Sequence, residues 1–239
     1  MRAILTFHSI DSSGSVLSYP RKTFEALLAA LDRAGLPVIT LCDLLDNETQ
    51  QGVALTFDDG MKSVFTDALP VLTEFDAPAH LFLTTGALGG DNHWPGQPAE
   101  APAFEMLDWD DVEALHAKGV HIEGHTVTHP DLRSLSDEQI EIECGTANDH
   151  ITRKLGVSPC YFAYPYGYHD DRVRALTRKF YRACTTTELQ PLSRADDPAK
   201  LPRLDSYYLQ SDYVLQNLAT PPVQAYLTFR HTLRRMRRQ

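Results

Sequence analysis

Two adjacent carboxylates follow an apolar, β-prone run in the sequence Val53-Ala-Leu-Thr-Phe-Asp-Asp-Gly60. The run predicts a buried strand that stops at Asp58, and Gly60 allows a sharp turn after it. In α/β folds, sites are built at the carboxyl ends of strands. Two neighbouring carboxylates repel each other and are costly to bury without a metal ion or a proton. Asp-Asp-Gly is also ordinary turn chemistry, so a helix-capping turn is an equal alternative.

A second candidate follows another predicted strand, 120–123, in the sequence Gly124-His125-Thr-Val-Thr-His129-Pro130. Two histidines four residues apart can direct both imidazoles at one point, and neutral imidazole is the commonest metal ligand. Two histidines and one carboxylate leave positions open on a zinc-type ion, as catalytic sites require. The pair alone is weak evidence. Together with Asp58 and Asp59 it predicts a metal triad beside a free carboxylate base.

A third candidate is the sequence Phe162-Ala-Tyr-Pro-Tyr-Gly167, again after an apolar run. Pro165 fixes φ and has no N–H, and Gly167 relaxes the backbone. That geometry can present the backbone N–H of Tyr166 as an oxyanion-hole donor. A plain aromatic turn explains the same residues, and the motif alone favours that interpretation.

Strands and helices alternate along most of the chain, which predicts parallel strands covered by helices in a barrel or an open sheet. The predicted strands are 3–7, 36–40, 53–57, 79–84, 120–123, 160–163, 183–186 and 203–208, and the predicted helices are 22–34, 61–75, 109–118, 136–155, 170–179 and one from about 222. The stretch 86–104, which contains Trp94, has no such pattern; it predicts a binding loop or, equally, a plain surface loop. We expect one domain over 1–239, with a core of about 3–208 and a C-terminal helix and basic tail of about 222–239.

The composition, with 43% hydrophobic and 23% charged residues, is that of a soluble globular protein. A formal net charge of −10 argues against nucleic acid as the main partner. Residues 230–239 nevertheless carry five arginines and no acid. This basic tail predicts a solvated helix end or, as the alternative, peripheral contact with an anionic membrane or a lipid-linked substrate.

No signal-peptide core is visible, because His8, Ser9 and Asp11 interrupt the short apolar run at the N-terminus. No apolar run reaches the roughly 20 residues that span a bilayer. The four cysteines lie far apart and form no C-x-x-C pair: Cys42, Cys144, Cys160 and Cys184. We therefore expect a cytoplasmic protein whose thiols are reduced and buried.

The three motifs together resemble the polysaccharide deacetylase family, also called NodB-homology or carbohydrate esterase family 4 proteins. Thr56-Phe-Asp-Asp-Gly60 matches the first family motif, His125-Thr-Val-Thr-His129 the second and Tyr164-Pro-Tyr-Gly167 the third. The flanking sequences at 5–9, 106–109 and 201–203 look like the small-polysaccharide-deacetylase branch. The resemblance covers about residues 3–208 and implies a distorted (β/α)7 barrel.

The resemblance also implies roles. Asp59, His125 and His129 would hold a divalent metal, which we expect to be zinc, with cobalt or nickel as alternatives. Asp58 would be the general base that activates water for attack on an acetamide carbonyl, and the backbone N–H of Tyr166 would hold the oxyanion. The implied reaction removes an N-acetyl group from an amino sugar or glycan precursor. The alternatives are a deformylase or cyclic-amide hydrolase of the same fold, or a catalytically inactive carbohydrate-binding relative.

The sequence departs from the family pattern in two places. The arginine that commonly steadies the base is missing, since Ala163 stands in that region, and we expect Arg203 to replace it. The late Leu-x-His motif that supplies the general acid is not visible either. His8 is our candidate for protonating the leaving amine or contacting substrate; an equal alternative is a hydrogen bond at the barrel mouth. The residues expected to line a sugar-stacking groove are Trp94, Tyr166 and Tyr168.

Overall fold

The computed structural model describes residues 1–95 and 102–238, without the side chains of Arg235, Arg237 and Arg238. Seven strands lie in this part of the chain: β1 (Arg2–Phe7), β2 (Gly52–Phe57), β3 (Ala79–Leu83), β4 (Val120–Gly124), β5 (Tyr161–Ala163), β6 (Ala183–Thr185) and β7 (Leu204–Asp205). They form one parallel, curled sheet in the order β6-β5-β4-β3-β2-β1-β7. Parallel strands need helical crossovers, and this arrangement confirms the distorted (β/α)7 barrel.

Eight helices connect or follow the strands in the described residues: α1 (Arg21–Arg33), α2 (Leu41–Asp46), α3 (Leu69–Glu74), α4 (Trp109–Ala117), α5 (Asp137–Leu155), α6 (Asp171–Thr177), α7 (Asp212–Gln216) and α8 (Pro221–Arg238). Side chains alternate across each strand, so each strand contributes to two cores. On β1, Leu5 packs in the large core that includes α1, whereas Ile4 packs in a smaller core that includes α2. The barrel therefore has a filled interior and a helix-covered exterior.

Two proline-containing segments differ from the prediction. Residues 36–40 do not form a strand, because only Val38 makes a β-bridge, to Val53, and neighbouring Pro37 has no N–H to extend a ladder. The predicted helix 61–75 instead begins with a wide turn over Val64–Ala68, and α3 follows it. Pro70 lies in the first turn of α3, where its missing N–H is tolerated. In the middle of one continuous helix over 61–75, the same proline would break the helix.

The predicted strand 203–208 is shorter than expected. Only Leu204–Asp205 pairs, beside β1, and a helical turn over Ser206–Tyr208 follows. The Asp205 side chain accepts a hydrogen bond from the Tyr207 N–H at 3.0 Å and so caps that turn. A capping aspartate ends the strand because its side chain, rather than a neighbouring strand, accepts the hydrogen bond of the following backbone N–H.

Helix α5 begins as its sequence predicts. Ser136 accepts a hydrogen bond from the Gln139 N–H, and the Gln139 side chain accepts one from the Ser136 N–H. This reciprocal capping box fixes the first turn, and Gly156, with φ of 71°, ends the helix. The register of α5 places the Glu143 carboxylate against the backbone of Val127 and Thr128.

The four cysteines are unpaired, but they are not all buried. Cys144 and Cys184 are buried, whereas Cys42 and Cys160 are exposed, so the expectation of four buried thiols was wrong for two of them. Cys42 lies between the buried positions of α2, and Cys160 precedes β5. Across the residues that the structure describes, no helix combines the length and apolarity of a membrane span.

Two arginines of the basic tail pack against the protein. The guanidinium carbons of Arg230 and Arg234 lie 4.8 Å and 5.7 Å from the centre of the Tyr208 ring. Arg234 also pairs with Asp205 at 3.2 Å. The side chains of the other three tail arginines fall outside the described residues. The expected membrane contact of the tail therefore stays a prediction.

Candidate active site

A cavity of about 750 Å3 opens at the carboxyl ends of the strands. Its described lining includes six of the seven predicted site residues: His8, Asp58, Asp59, His125, His129 and Tyr166. The seventh, Arg203, is only 1% exposed and lies directly behind Asp58. Residues from five separate parts of the sequence therefore meet at one end of the barrel.

The Asp-Asp-Gly turn directs its two carboxylates at different partners. Asp59 has a left-handed backbone with φ of 74°, and its carbonyl accepts a hydrogen bond from the Thr84 N–H at 3.1 Å. Gly60 has φ of 104°, a backbone conformation that residues with a side chain rarely adopt, so the position favours glycine. Because the chain turns between them, Asp58 faces Arg203 while Asp59 faces the two histidines.

Asp59, His125 and His129 form one buried group. The Asp59 Oδ1 atom lies 3.2 Å from His125 Nε2 and 3.4 Å from His129 Nε2. Each residue offers one ligand atom, and these three atoms lie within 4.8 Å of one another. Each residue is at most 5% exposed. A single small cation can reach all three atoms.

The hydrogen bond on the far side of His125 shows that these residues fit a metal. His125 Nδ1 lies 2.7 Å from the carbonyl oxygen of Ala163, which can only accept, so Nδ1 carries the proton. In the neutral ring, Nε2 then holds a lone pair that faces the Asp59 carboxylate. Two lone-pair atoms at that distance require a cation or a proton between them. A carbonyl on the other ring nitrogen is the usual support of a metal-bound histidine.

The protonation states of the group also suit metal binding. Burial would raise the pKa of Asp59, but hydrogen bonds from His125 and His129, formed when a proton takes the place of a cation, hold that pKa well below its usual range. Burial lowers the pKa of His129, although the Asp59 carboxylate opposes this shift. An ionised carboxylate and a neutral imidazole are the forms that bind metals.

Asp58 is held by Arg203 in a buried, two-pronged ion pair. Arg203 Nη1 donates to Asp58 Oδ1 and Nη2 donates to Oδ2, each at 2.7 Å. Arg203 Nε donates to the Thr186 carbonyl at 2.9 Å, and Nη1 also lies 3.3 Å from Thr56 Oγ1. Burial alone would raise the pKa of Asp58, but Arg203 lowers it below its ordinary value. A carboxylate kept ionised and oriented in this way can accept a proton from water.

His8 and Tyr166 lie on the open side of the two aspartates. The His8 side chain is 26% exposed, and its Nε2 lies 3.9 Å from Asp58 Oδ2, which is too far for a hydrogen bond. Tyr166 has a left-handed backbone with φ of 59°. It is the second residue of a single turn over Pro165–Gly167, so its N–H has no partner within that turn.

Two aromatic rings pack against His129. The Trp94 ring centre lies 4.4 Å and the Tyr166 ring centre 4.6 Å from that of His129. Both residues also line the cavity. Tyr168, which was expected beside them, lies outside the described lining and packs under the Arg133 guanidinium at 4.1 Å. The expected stacking groove therefore has two of its three aromatic residues.

Backbone strain is concentrated at this site. Five described residues other than glycine have positive φ, and four of them surround the cavity: Asp59, Thr126, His129 and Tyr166. Such conformations cost on the order of 1–3 kcal/mol each and persist only where surrounding contacts enforce them. Local strain at these positions fixes side-chain directions that a relaxed chain would not hold.

Sequence reasoning did not identify one wall of the cavity. Residues 13–17 line it, and this segment was expected only to be polar and irregular. Asp11 organises the segment by accepting hydrogen bonds from the Ser13 N–H at 2.7 Å and the Ser18 hydroxyl at 2.8 Å. An aspartate followed by closely spaced serines is a signal for such a turn and could have indicated it.

Comparison with known proteins agrees with this geometry. The polysaccharide deacetylase family profile matches residues 46–182, more than half of the chain. The chain belongs to the polysaccharide deacetylase family. It is 28% identical over 198 residues to YxkH of Bacillus subtilis, which is provisionally named a polysaccharide deacetylase. The matched region covers 80% of this chain and 66% of YxkH. The chain is 44% identical over 134 residues to chitin deacetylase 1 of Cryptococcus neoformans, covering 56% of this chain and 25% of that protein.

A third relative in this family is the poly-beta-1,6-N-acetyl-D-glucosamine N-deacetylase of Staphylococcus aureus. It is 22% identical over 213 residues, covering 81% of this chain and 70% of its own length. The chain thus spans less than two thirds of YxkH and of the Cryptococcus protein. Named members of this polysaccharide deacetylase family remove N-acetyl groups, which is hydrolysis of a carbon–nitrogen bond.

Solved structures of polysaccharide deacetylase type show the same fold. The Streptococcus pyogenes deacetylase PplD, solved in complex with acetate, superimposes with a TM-score of 0.73 at 24% identity, covering 85% of this chain and 91% of PplD. IcaB from Ammonifex degensii gives a TM-score of 0.73 at 23% identity, covering 90% of this chain and 96% of IcaB. At these identities the comparison establishes the fold.

Proposed function

We propose that this protein is a metal-dependent hydrolase that removes N-acetyl groups from an amino sugar or a glycan precursor. One observation carries the proposal: a buried Asp59, His125 and His129 group lies beside a carboxylate, Asp58, that Arg203 holds ionised. The first group suits a divalent cation, and the second suits a general base. Both line one cavity with room for a sugar.

In the proposed reaction Asp59, His125 and His129 would hold zinc, or alternatively cobalt or nickel. A divalent ion there would polarise the substrate carbonyl and make water more acidic. Asp58 accepts a proton from the attacking water, and Arg203 keeps the carboxylate oriented and ionised before the step. The backbone N–H of Tyr166 donates to the oxyanion that forms on the carbonyl oxygen when water attacks the carbonyl carbon.

The leaving nitrogen then needs a proton before the carbon–nitrogen bond breaks. We assign this proton to His8, which lines the cavity on the Asp58 side with a partly exposed ring. The products are acetate and a free amine. The proton taken from water and the one given to nitrogen balance, so the enzyme returns to its starting state after exchange with solvent.

The proposed substrate is an uncharged N-acetylated sugar. Two relatives are named for chitin and for poly-N-acetylglucosamine. Trp94 and Tyr166 line the cavity and offer ring faces on which a sugar can stack. The described lining contains no lysine or arginine. That lining favours a neutral sugar over a diphosphate-linked one.

The test is acetate release from a panel of N-acetylglucosamine oligomers by the zinc-loaded protein. We expect release that Asp58→Asn abolishes without loss of bound zinc. Formate release from N-formyl sugars, with no acetate release, would favour the deformylase alternative. Opening of a cyclic amide would favour the cyclic-amide hydrolase alternative. Saturable sugar binding with no turnover by the zinc-loaded protein would identify an inactive carbohydrate-binding relative.

We also propose, as a separate question, a cytoplasmic location with peripheral membrane contact through the basic tail. The support is the acid-free run of five arginines at 230–239. Co-sedimentation with vesicles containing anionic phospholipid, compared for the full chain and a chain ending at residue 229, tests the contact. Equal sedimentation of the two proteins would show that the basic tail does not bind the membrane.

A further inference from the structure

The loop between the two proposed metal ligands is held by a carboxylate from a distant helix. Glu143 lies on α5, and its Oε2 atom accepts hydrogen bonds from the N–H groups of Val127 at 2.8 Å and Thr128 at 3.0 Å. Its Oε1 atom accepts from the Thr128 hydroxyl at 2.7 Å. One half-buried side chain thus binds three donors of a single loop. Hydrogen bonds to an ionised carboxylate are roughly twice as strong as neutral ones.

The opposite side of the same loop is held by the segment after β3. The N–H of Thr85 donates to the Thr126 carbonyl at 3.2 Å, and the N–H of Gly86 donates to the Val127 carbonyl at 2.8 Å. A Cβ on Gly86 would lie 2.5 Å from the Val127 carbonyl oxygen, so the approach requires glycine. The N–H groups of the loop therefore donate to Glu143, and its carbonyl groups accept from the segment after β3.

Helix α5 connects both sides of this clamp. His150 lies seven residues after Glu143, which places both on one face of the helix. Its Nδ1 atom lies 3.0 Å from the hydroxyl of Thr85. Cys144 and Ala147, which lie between them in the sequence, and Ile151, which follows His150, are buried and fix the helix to the barrel. The clamp is therefore attached to a rigid element.

The loop needs this support because it is strained at both ends. Thr126 and His129 have φ of 69° and 56°. Each conformation is unfavourable for a residue with a side chain, and only surrounding contacts maintain it. Releasing the Val127 and Thr128 N–H groups frees the chain to relax, which would turn the His129 ring away from Asp59.

We propose that Glu143 is a positioning residue that sets the direction of His129 in the metal centre. This inference rests on the proposed function, because it assumes that His129 is a ligand. Glu143 does not touch substrate or metal; it acts through the loop 126–129. Loss of Glu143 should therefore weaken metal affinity directly and lower turnover only as a consequence.

The experiment measures zinc binding to the metal-free protein by calorimetry for the wild type, Glu143→Ala, Glu143→Gln and Glu141→Ala. Loss of a group that supports a metal ligand typically weakens affinity about 10-fold to 100-fold, and we expect this for Glu143→Ala. Glutamine keeps an oxygen for the two N–H groups, and its NH2 can donate to the Thr128 hydroxyl. We expect it to retain most of the affinity. Glu141 pairs with Lys179 on the surface, so its variant is the matched control.

A second readout separates positioning from folding. We expect Glu143→Ala to unfold in one cooperative transition in the absence of metal, with a midpoint lowered by only about 2–4 °C, because relaxation of the strained loop offsets part of the lost hydrogen bonding. We also expect excess zinc to restore kcat. Wild-type affinity in Glu143→Ala, beside a wild type that binds one zinc ion, would overturn the role of Glu143 alone. A wild type that binds no zinc would overturn the metal centre and this inference with it.

Discussion

Replacing Arg203 with methionine should expose how strongly the base depends on its buried cation. Arg203 and Asp58 are 1% and 4% exposed, and two hydrogen bonds of 2.7 Å join them. Removing one partner of such a pair leaves an uncompensated buried charge, at a cost of about 3–5 kcal/mol. For a chain of this size, that loss corresponds to a fall in Tm of about 6–20 °C. Thermal unfolding of the metal-free protein at neutral pH measures it.

The pH dependence of the Arg203 variant gives a sharper result. In the wild type, Arg203 holds the pKa of Asp58 below its ordinary value against the effect of burial. This contribution to stability is present above the unfolded pKa of about 3.9 and is lost as pH falls through the lower folded pKa. Without the guanidinium, burial raises the pKa of Asp58, so ionisation costs stability as pH rises. The stability difference between the proteins should therefore widen from about pH 4 to pH 7.

Activity should follow the same sign. A positioned base contributes about 100-fold to 10,000-fold to rate, and a protonated Asp58 cannot act. We expect kcat/KM of Arg203→Met to fall by at least about 100-fold at pH 7, with the acid limb of the profile moved to higher pH. Arg203→Lys should recover part of the activity, because it restores charge without the two-pronged geometry. Arg234→Met, which removes a more exposed ion pair with Asp205, is the control. Full activity and an unchanged pH profile in Arg203→Met would refute the reasoning.

Two further substitutions test the open side of the cavity. His8→Gln should lower kcat with little change in KM if His8 protonates the leaving amine, and a substrate with a better leaving group should recover the rate; unchanged kcat would leave His8 only a structural role. Trp94→Ala should raise KM for N-acetylglucosamine oligomers about 5-fold to 150-fold, from the loss of roughly 1–3 kcal/mol of ring burial and stacking, with a smaller effect on kcat. Unchanged KM would exclude Trp94 from substrate binding.

The sequence pattern was sufficient to predict parallel strands covered by helices and the residues at the strand ends, and the family resemblance added the barrel. Alternation of strands and helices follows from hydrophobic periodicity, which each segment carries locally. The capping box at Ser136 and Gln139 is likewise a local pattern, and the structure contains it. The errors fell where one residue decides the outcome. Pro37 prevents a ladder at 36–40, and Asp205 ends the last strand by capping the next turn.

Contacts between distant residues were harder to predict. Arg203 lies 145 positions from Asp58, and only the missing family arginine suggested it. Glu143 reads as one more acidic residue on a helix, because nothing local indicates that its carboxylate meets the Val127–Thr128 loop. Whether a side chain lines a cavity depends on how the loops fold over the barrel, and Tyr168 lies beside Tyr166, with ring centres 5.7 Å apart, rather than in the described lining. Such contacts form only in the folded tertiary structure and leave no local sequence pattern.

The most direct test of the account is an anomalous difference map, recorded at the zinc edge, from crystals grown with one equivalent of zinc. We predict one strong peak within about 2.0–2.2 Å of Asp59 Oδ1, His125 Nε2 and His129 Nε2. The same map from Asp59→Asn crystals should lose that peak or show it much weakened. A zinc peak elsewhere, or no peak with all three residues intact, would contradict the claim that they form a catalytic metal centre.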